Sequence, residues 1–174
     1  MISFETILVW TALFRELWVA LRTFTRRGTA LLSGLLGVTY WIMAMQAKIA
    51  EHSGALRFVG FAFLIMGLTL LEWAAFCIRG KLFSYLGSKD TPQFIFAGGP
   101  YAYIRHPFYT CYILTHIGIA IIFPTWVTVS VALFTFSLLW YAAEFEENKF
   151  ASSPLAESYR AYMARTGRFW PKLR

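Results

Sequence analysis

Two short clusters hold the residue types that can do chemistry. The first, "GGPYAYIRHPFY" from Gly98 to Tyr109, brings a guanidinium (Arg105), an imidazole (His106) and several phenols together. The second, "AAEFEENKF" from Ala142 to Phe150, carries Glu144, Glu146 and Glu147. Pro107 suits the first turn of a helix, where its missing N–H costs nothing, and it keeps His106 out of helical geometry. The free N–H groups of that first turn, beside Arg105 and His106, form a seat for a carboxylate or phosphate. Gly98 and Gly99 let backbone approach a flat ligand closely. Taken alone, Arg105 and His106 would equally suit interfacial anchors, with the tyrosines as an aromatic belt.

The acidic cluster shifts that balance. Carboxylates so close to an apolar run are disfavoured unless they meet a partner or a cation. If the helix continues, Glu144 and Glu147 share a face at i, i+3. A third stretch, "ESYRAYMARTGRFWP", puts Tyr159 and Tyr162 on one helical face with Arg165 three residues later.

What must position these groups is a membrane. The chain of 174 residues is 58% hydrophobic, 19% aromatic and only 14% charged, which sets it apart from soluble domains. The expected fold is all-α: a polytopic membrane protein with four to five membrane helices in one domain. Residues 1–27 form an amphipathic or first membrane helix, with Ile7, Trp10, Phe14, Leu17, Trp18 and Leu21 on one face and Glu5, Arg15, Glu16 and Arg22 on the other. It either lies in the interface or spans while packed against partners. Residues 28–78 hold two membrane helices, 79–106 a loop, 107–143 a helical hairpin broken at Phe123-Pro124-Thr125, and 144–174 a charged tail.

Net charge of +7 raises the question of nucleic acid. The Lys and Arg residues, however, sit in short loops and the tail, a pattern of membrane orientation rather than of phosphate-backbone binding. With the spans as drawn, thirteen lie on one side (Arg22, Arg26 and Arg27; four from Arg79 to Arg105; six in the tail), against Lys48 and Arg57 on the other. The loop and tail are therefore expected in the cytosol, and the small size favours a bacterial inner membrane, or endoplasmic reticulum in a eukaryote. The hairpin then tethers the two clusters to one membrane face. Cys77 and Cys111 read as buried apolar residues, and His52, His106 and His116 lack metal-ligand spacing. His116 is expected to hydrogen-bond a neighbouring helix, and Glu72 to pair with Arg79 or a loop arginine or to line an acceptor entrance.

In this order, Gly-Pro-Tyr, Arg-His-Pro-x-Tyr, a hairpin, Glu-Glu and Tyr-x-x-Tyr running to a proline, the sequence resembles the integral-membrane methyltransferases. These are the isoprenylcysteine carboxyl methyltransferases and the related phospholipid methyltransferases. The resemblance covers about residues 94–171. It implies an S-adenosyl-L-methionine site capped by loop and tail, and a lipid or lipidated acceptor reached from the bilayer. It implies that His106 and Tyr109, around Pro107, hold the methionine carboxylate of the cofactor. One of Glu146 and Glu147 would meet the amino group, the Gly99–Pro100–Tyr101 backbone would line the adenosine, and Arg105 and Arg165 would orient the acceptor. A carboxylate acceptor needs only an arginine to aim it; an amine or thiol needs a base, for which Glu147 or a tyrosine is the candidate. The acceptor stays open between an isoprenylcysteine-type carboxylate and a phospholipid amine. The tail runs about one residue longer than in close relatives, which unsettles the register of Arg165. A sterol-reductase-like enzyme using a nicotinamide cofactor and a non-enzymatic membrane scaffold are the alternatives.

Overall fold

The computed structural model describes residues 4–23, 30–49, 54–78, 92 and 94–172. Among them the chain forms six helices: α1 (Phe4–Thr23), α2 (Ala30–Ile49), α3 (Arg57–Cys77), α4 (Pro107–Ile122), α5 (Trp126–Ala151) and α6 (Ala156–Arg165). Tight 3-10 turns precede α3 at Gly54–Leu56 and open the candidate site at Gly99–Ala102. Half of the loop expected over 79–106, with Arg79, Lys81 and Lys89, lies outside the described residues, as do Arg26, Arg27 and Arg174.

Two stretches are long and apolar enough to cross a membrane, Gly54–Cys77 and Trp126–Ala151. That is fewer than the four to five expected, for a physical reason. Helix α4 has 16 residues, about 24 Å at 1.5 Å per residue, against a hydrocarbon core of about 30 Å. Helix α1 is diluted by Arg15 and Glu16. The apolar part of α2, Leu35–Ala47, is likewise short.

Helix α1 shows what kind of bundle this is. Its aromatic face turns outward, with Phe14 69% exposed, while Val9, Ala12, Leu13 and Glu16 face the neighbouring helices. A water-soluble protein buries the apolar stripe of such a helix; here the charged position is the interior one. The Glu16 carboxylate accepts from Tyr40 Oη of α2 at 2.6 Å and from Thr115 Oγ1 of α4. One residue earlier, Arg15 pairs with Glu72 of α3, Nε to Oε1 at 2.6 Å. Among the described residues Glu72 thus finds a partner on α1, while Arg79, the partner expected from the sequence, lies outside them. At the other end of α1, Thr6 Oγ1 donates to the Ala47 carbonyl, so α1 and α2 run antiparallel.

Helices α3 and α4 cross on small residues. A methyl group added at Gly60 would come within 2.7 Å of the Gly118 carbonyl, and one at Gly67 within 2.8 Å of Thr115 Oγ1. Close approach of this kind replaces the hydrophobic drive that lipid cannot supply. His116 of α4, fully buried, lies 3.1 Å by Nε2 from Thr39 Oγ1 of α2 and 2.8 Å by Nδ1 from its own helix's Tyr112 carbonyl. Cys77 and Cys111 are free thiols.

The expected break at Phe123-Pro124-Thr125 is the turn between α4 and α5. Thr125 caps α5 through a reciprocal pair with Thr128, each side chain accepting from the other's backbone N–H at 3.1 Å. Helix α5 then runs unbroken past Ala143 to Ala151. At about 39 Å it outreaches the hydrocarbon core, and its acidic last turns project beyond it.

Candidate active site

The local backbone follows from Pro107. It occupies the first turn of α4, with His106 at φ −124°, ψ 62° as the residue before the helix. The chain therefore reaches α4 extended, and the extended piece is gripped by the tail. Arg105 N–H donates to the Gly167 carbonyl at 2.9 Å, His106 N–H to the Arg168 carbonyl at 3.2 Å, and Gly167 N–H to the Tyr103 carbonyl at 3.0 Å. Thr110 Oγ1 adds a bond to the Phe169 carbonyl at 2.9 Å. Gly167 is needed here because a Cβ would collide with the Trp170 carbonyl.

Side chains close the same joint. Tyr162 Oη of α6 donates to the Tyr101 carbonyl at 2.7 Å, and Tyr159 stacks on Phe150 with ring centroids 4.3 Å apart. Burial pushes the Tyr162 phenol up to about 12 and the Tyr159 phenol higher still. Both stay protonated at neutral pH, which makes them struts and not bases. Gly99 adopts φ +57°, and a Cβ there would strike Cys77 Sγ. The turn therefore lies flush against the end of α3, with Tyr101 edge-on to Phe96 at 5.2 Å.

At the centre stands Glu147, buried on α5. Arg105 Nε donates to its Oε1 at 2.9 Å, His106 Nε2 lies 3.2 Å from the same oxygen, and Arg168 Nη2 donates to Oε2 at 2.7 Å. Arg105 also donates by Nη1 to the Thr166 carbonyl at 2.5 Å. Three elements remote in sequence, the loop, α5 and the tail, thus converge on one carboxylate. Its neighbour Glu146 is more open. Glu146 accepts from Tyr109 Oη at 2.6 Å and faces His106 Nδ1 at 3.5 Å. The rings of His106 and Tyr109 stack in parallel at 5.3 Å.

Both imidazole nitrogens of His106 therefore look at carboxylates. Burial opposes the charged ring, but the hydrogen bonds and charges of Glu146 and Glu147 outweigh it and lift His106 above the ordinary histidine value. The result is an imidazole biased toward its charged form between two carboxylates.

The structure brings together Arg105, His106, Tyr109, Glu146 and Glu147, with Pro107 and the Gly99–Tyr101 turn beside them. It leaves two expected groups outside. Glu144 is exposed, and Arg165 is exposed with its guanidinium over the Tyr162 ring at 5.8 Å. Arg168 takes the inner position instead, between Glu147 and the face of Trp140, 4.7 Å from that ring. The sequence reading passed over Arg168, although the extra residue in the tail was the available signal of a shifted register. It also passed over Thr166, Gly167 and Phe169, which act through backbone atoms.

The sequence profile of the phospholipid methyltransferase family matches residues 56–158. The chain belongs to the phospholipid methyltransferase family. In this family member the matched region holds α3, the Arg-His-Pro stretch, the hairpin and the Glu-Glu pair, while α1, α2 and the Arg168 clasp fall outside it. A curated relative, the cobalt-zinc-cadmium resistance protein CzcN of Cupriavidus metallidurans, is 29% identical over 101 residues, which are 58% of this chain and 42% of that protein. The chain thus spans less than half the length of this relative. No solved structure matches. The two apolar spans and the family together point to a membrane protein of a methyltransferase family.

Proposed function

We propose that this protein transfers a methyl group from S-adenosyl-L-methionine to a lipid-like acceptor, at a site on the cytosolic face of the membrane. The chemistry of the donor set supports the cofactor. Its amino-acid end is a zwitterion, and here a histidine biased toward its charged form, a helix N-terminus and the carboxylate of Glu146 lie within one small region. When bound, the cofactor supplies an electrophilic methyl group on a sulfonium.

His106, Tyr109 and the first turn of α4 would hold its carboxylate. Glu146 would take the ammonium, because Glu147 is already shared among Arg105, His106 and Arg168. The Gly99–Pro100–Tyr101 turn would line the adenosine. Glu147 is better placed as the anion that fixes two arginines than as a general base. Arg105 and Arg168 would aim the acceptor, Arg168 taking the part that spacing alone gave to Arg165. Aim and exclusion of water supply most of the acceleration such a displacement needs, about 7–11 kcal/mol for good alignment. The bundle would cross the membrane five times, with α1 included, since its polar position faces helices and its aromatics face outward.

The observation that carries this reading is the meeting of His106 with both Glu146 and Glu147 at one end of the bundle. Incubating the protein in detergent with labelled cofactor and a total lipid extract tests it. A labelled lipid product is expected. Absence of label from every lipid, acid and amine fraction, in protein that unfolds cooperatively, would refute it.

A further inference from the structure

Helix α5 turns one stripe toward the tail. Phe136, Trp140, Ala143 and Glu147 recur at i, i+4, i+7 and i+11, the spacing of a single helical face. The site described above uses only the last of them. Glu147 accepts from Arg168 Nε at 3.2 Å and from Arg168 Nη2 at 2.7 Å. Two turns earlier on the same stripe, the Trp140 ring lies 4.7 Å from the Arg168 guanidinium carbon. One carboxylate and one indole face therefore bracket a single side chain.

The two arginines on Glu147 are held differently. Arg105 has 8% of its side chain exposed and also donates to the Thr166 carbonyl. Arg168 has 23% exposed, and fixing it in one direction takes away the rotamer freedom of a long side chain. An indole face is the best aromatic partner for a cation, the more so where water is partly excluded. A guanidinium over a ring keeps its N–H donors in its own plane, where they remain available to a carboxylate. An aromatic that served only as an interfacial belt would need no such contact.

Trp140 is itself braced. Phe169, buried in the tail, meets it edge-to-face with centroids 5.8 Å apart, and Phe136 lies at 5.9 Å. Phe169 also meets Phe136 and the His106 ring edge-to-face, each at 6.2 Å. Its carbonyl is tied to Thr110. The tail thus supplies both the guanidinium and, one residue later, a prop for the platform beneath it.

We propose that Trp140 is a positioning residue: its indole face selects the direction in which Arg168 reaches Glu147, and so the guanidinium that the site presents. That this direction serves methyl transfer to an acceptor rests on the function proposed above; the positioning itself does not.

The test follows the arginine Nε–H signals of the isotope-labelled full chain in detergent by NMR, assigned with Arg105→Lys and Arg168→Lys. Trp140→Leu should speed exchange of the Arg168 Nε–H with water about three- to thirtyfold, as for loss of one cation–ring contact, and leave the Arg105 Nε–H as in the parent. Trp140→Phe, which keeps an aromatic face, should restore most of the protection. Turnover should fall over the same range in Trp140→Leu, and no further when Trp140→Leu is added to Arg168→Ala. Should Trp140→Leu fail to fold, Trp140→Met fills the volume without a ring face and takes its place. Unchanged exchange at Arg168 would overturn the proposal. So would equal speeding at both arginines, which would mark a general loosening of the fold, or a loss of turnover that adds to that of Arg168→Ala. A parent without turnover would refute the methyl-transfer reading, and the exchange measurement would still decide this one.

Discussion

Two glutamates are buried among the described residues, and they keep different company. Glu147 sits near the C-terminal end of α5 and is met by Arg105, His106 and Arg168. Glu16 sits inside the bundle and is met by two hydroxyls, those of Tyr40 and Thr115. The first is a charge network joining a loop, a helix end and a tail. The second is a hydroxyl-to-carboxyl clasp joining three helices. Charge networks near water can rearrange around a charged ligand, whereas a clasp closed off from water holds shape. The contrast sets a charge network at one end of the bundle apart from helix registration in its interior.

The largest expected effect lies at the first. Glu147→Gln leaves Arg105 and Arg168 facing His106 without their shared anion, and removing one member of a buried ion pair costs about 3–5 kcal/mol. Thermal unfolding in detergent should fall accordingly, and hydrogen exchange should rise at 166–169. A smaller effect separates the two tail arginines. Arg168→Ala should lower turnover at least about tenfold, as for a lost charge-assisted bond, while Arg165→Ala, which loses only an exposed contact with a ring, should stay within about 0.5–1 kcal/mol of the parent.

Glu16→Gln sharpens the comparison. The amide keeps an acceptor oxygen for Tyr40 or Thr115, so about 1 kcal/mol is expected. A loss as large as that of Glu147→Gln would mean that Glu16 also serves as a charged centre, and the contrast would fail.

The smallest effect is a slope with pH. His106 is raised above its ordinary value of 6.5, so its contribution is complete below that value and fades as pH rises through the elevated one. Unfolding temperature should decline over that window, and His106→Gln should flatten the decline.

Much of the site was legible in the sequence because it is written in charges beside apolar runs. Arg105, His106, Glu146 and Glu147 announce themselves at the edges of a hairpin, and the hairpin can only return the chain to the face it left. The tail was less legible. Arg165 and Arg168 differ by one helical turn, and which one faces inward depends on where α6 ends and on the backbone bonds of Gly167, which carry no side-chain pattern. The interior of the bundle was least legible. The helical wheel put Arg15 and Glu16 on one face of α1, whereas packing buries Glu16 and leaves Arg15 at the outer edge beside Glu72. The partners of Glu16 and Glu72 are set by helix packing over long sequence separations, and nothing local encodes them.

The central claim is that the Arg-His-Pro loop and the Glu-Glu pair form one pocket for a zwitterionic methyl donor. Calorimetric titration with S-adenosylhomocysteine, the unreactive product, tests it without needing the acceptor. The account predicts saturable binding to the parent in detergent, and binding weakened about tenfold or more in Glu146→Gln that still unfolds cooperatively. Equal affinity in both proteins, or no heat at millimolar ligand in folded parent, would contradict it.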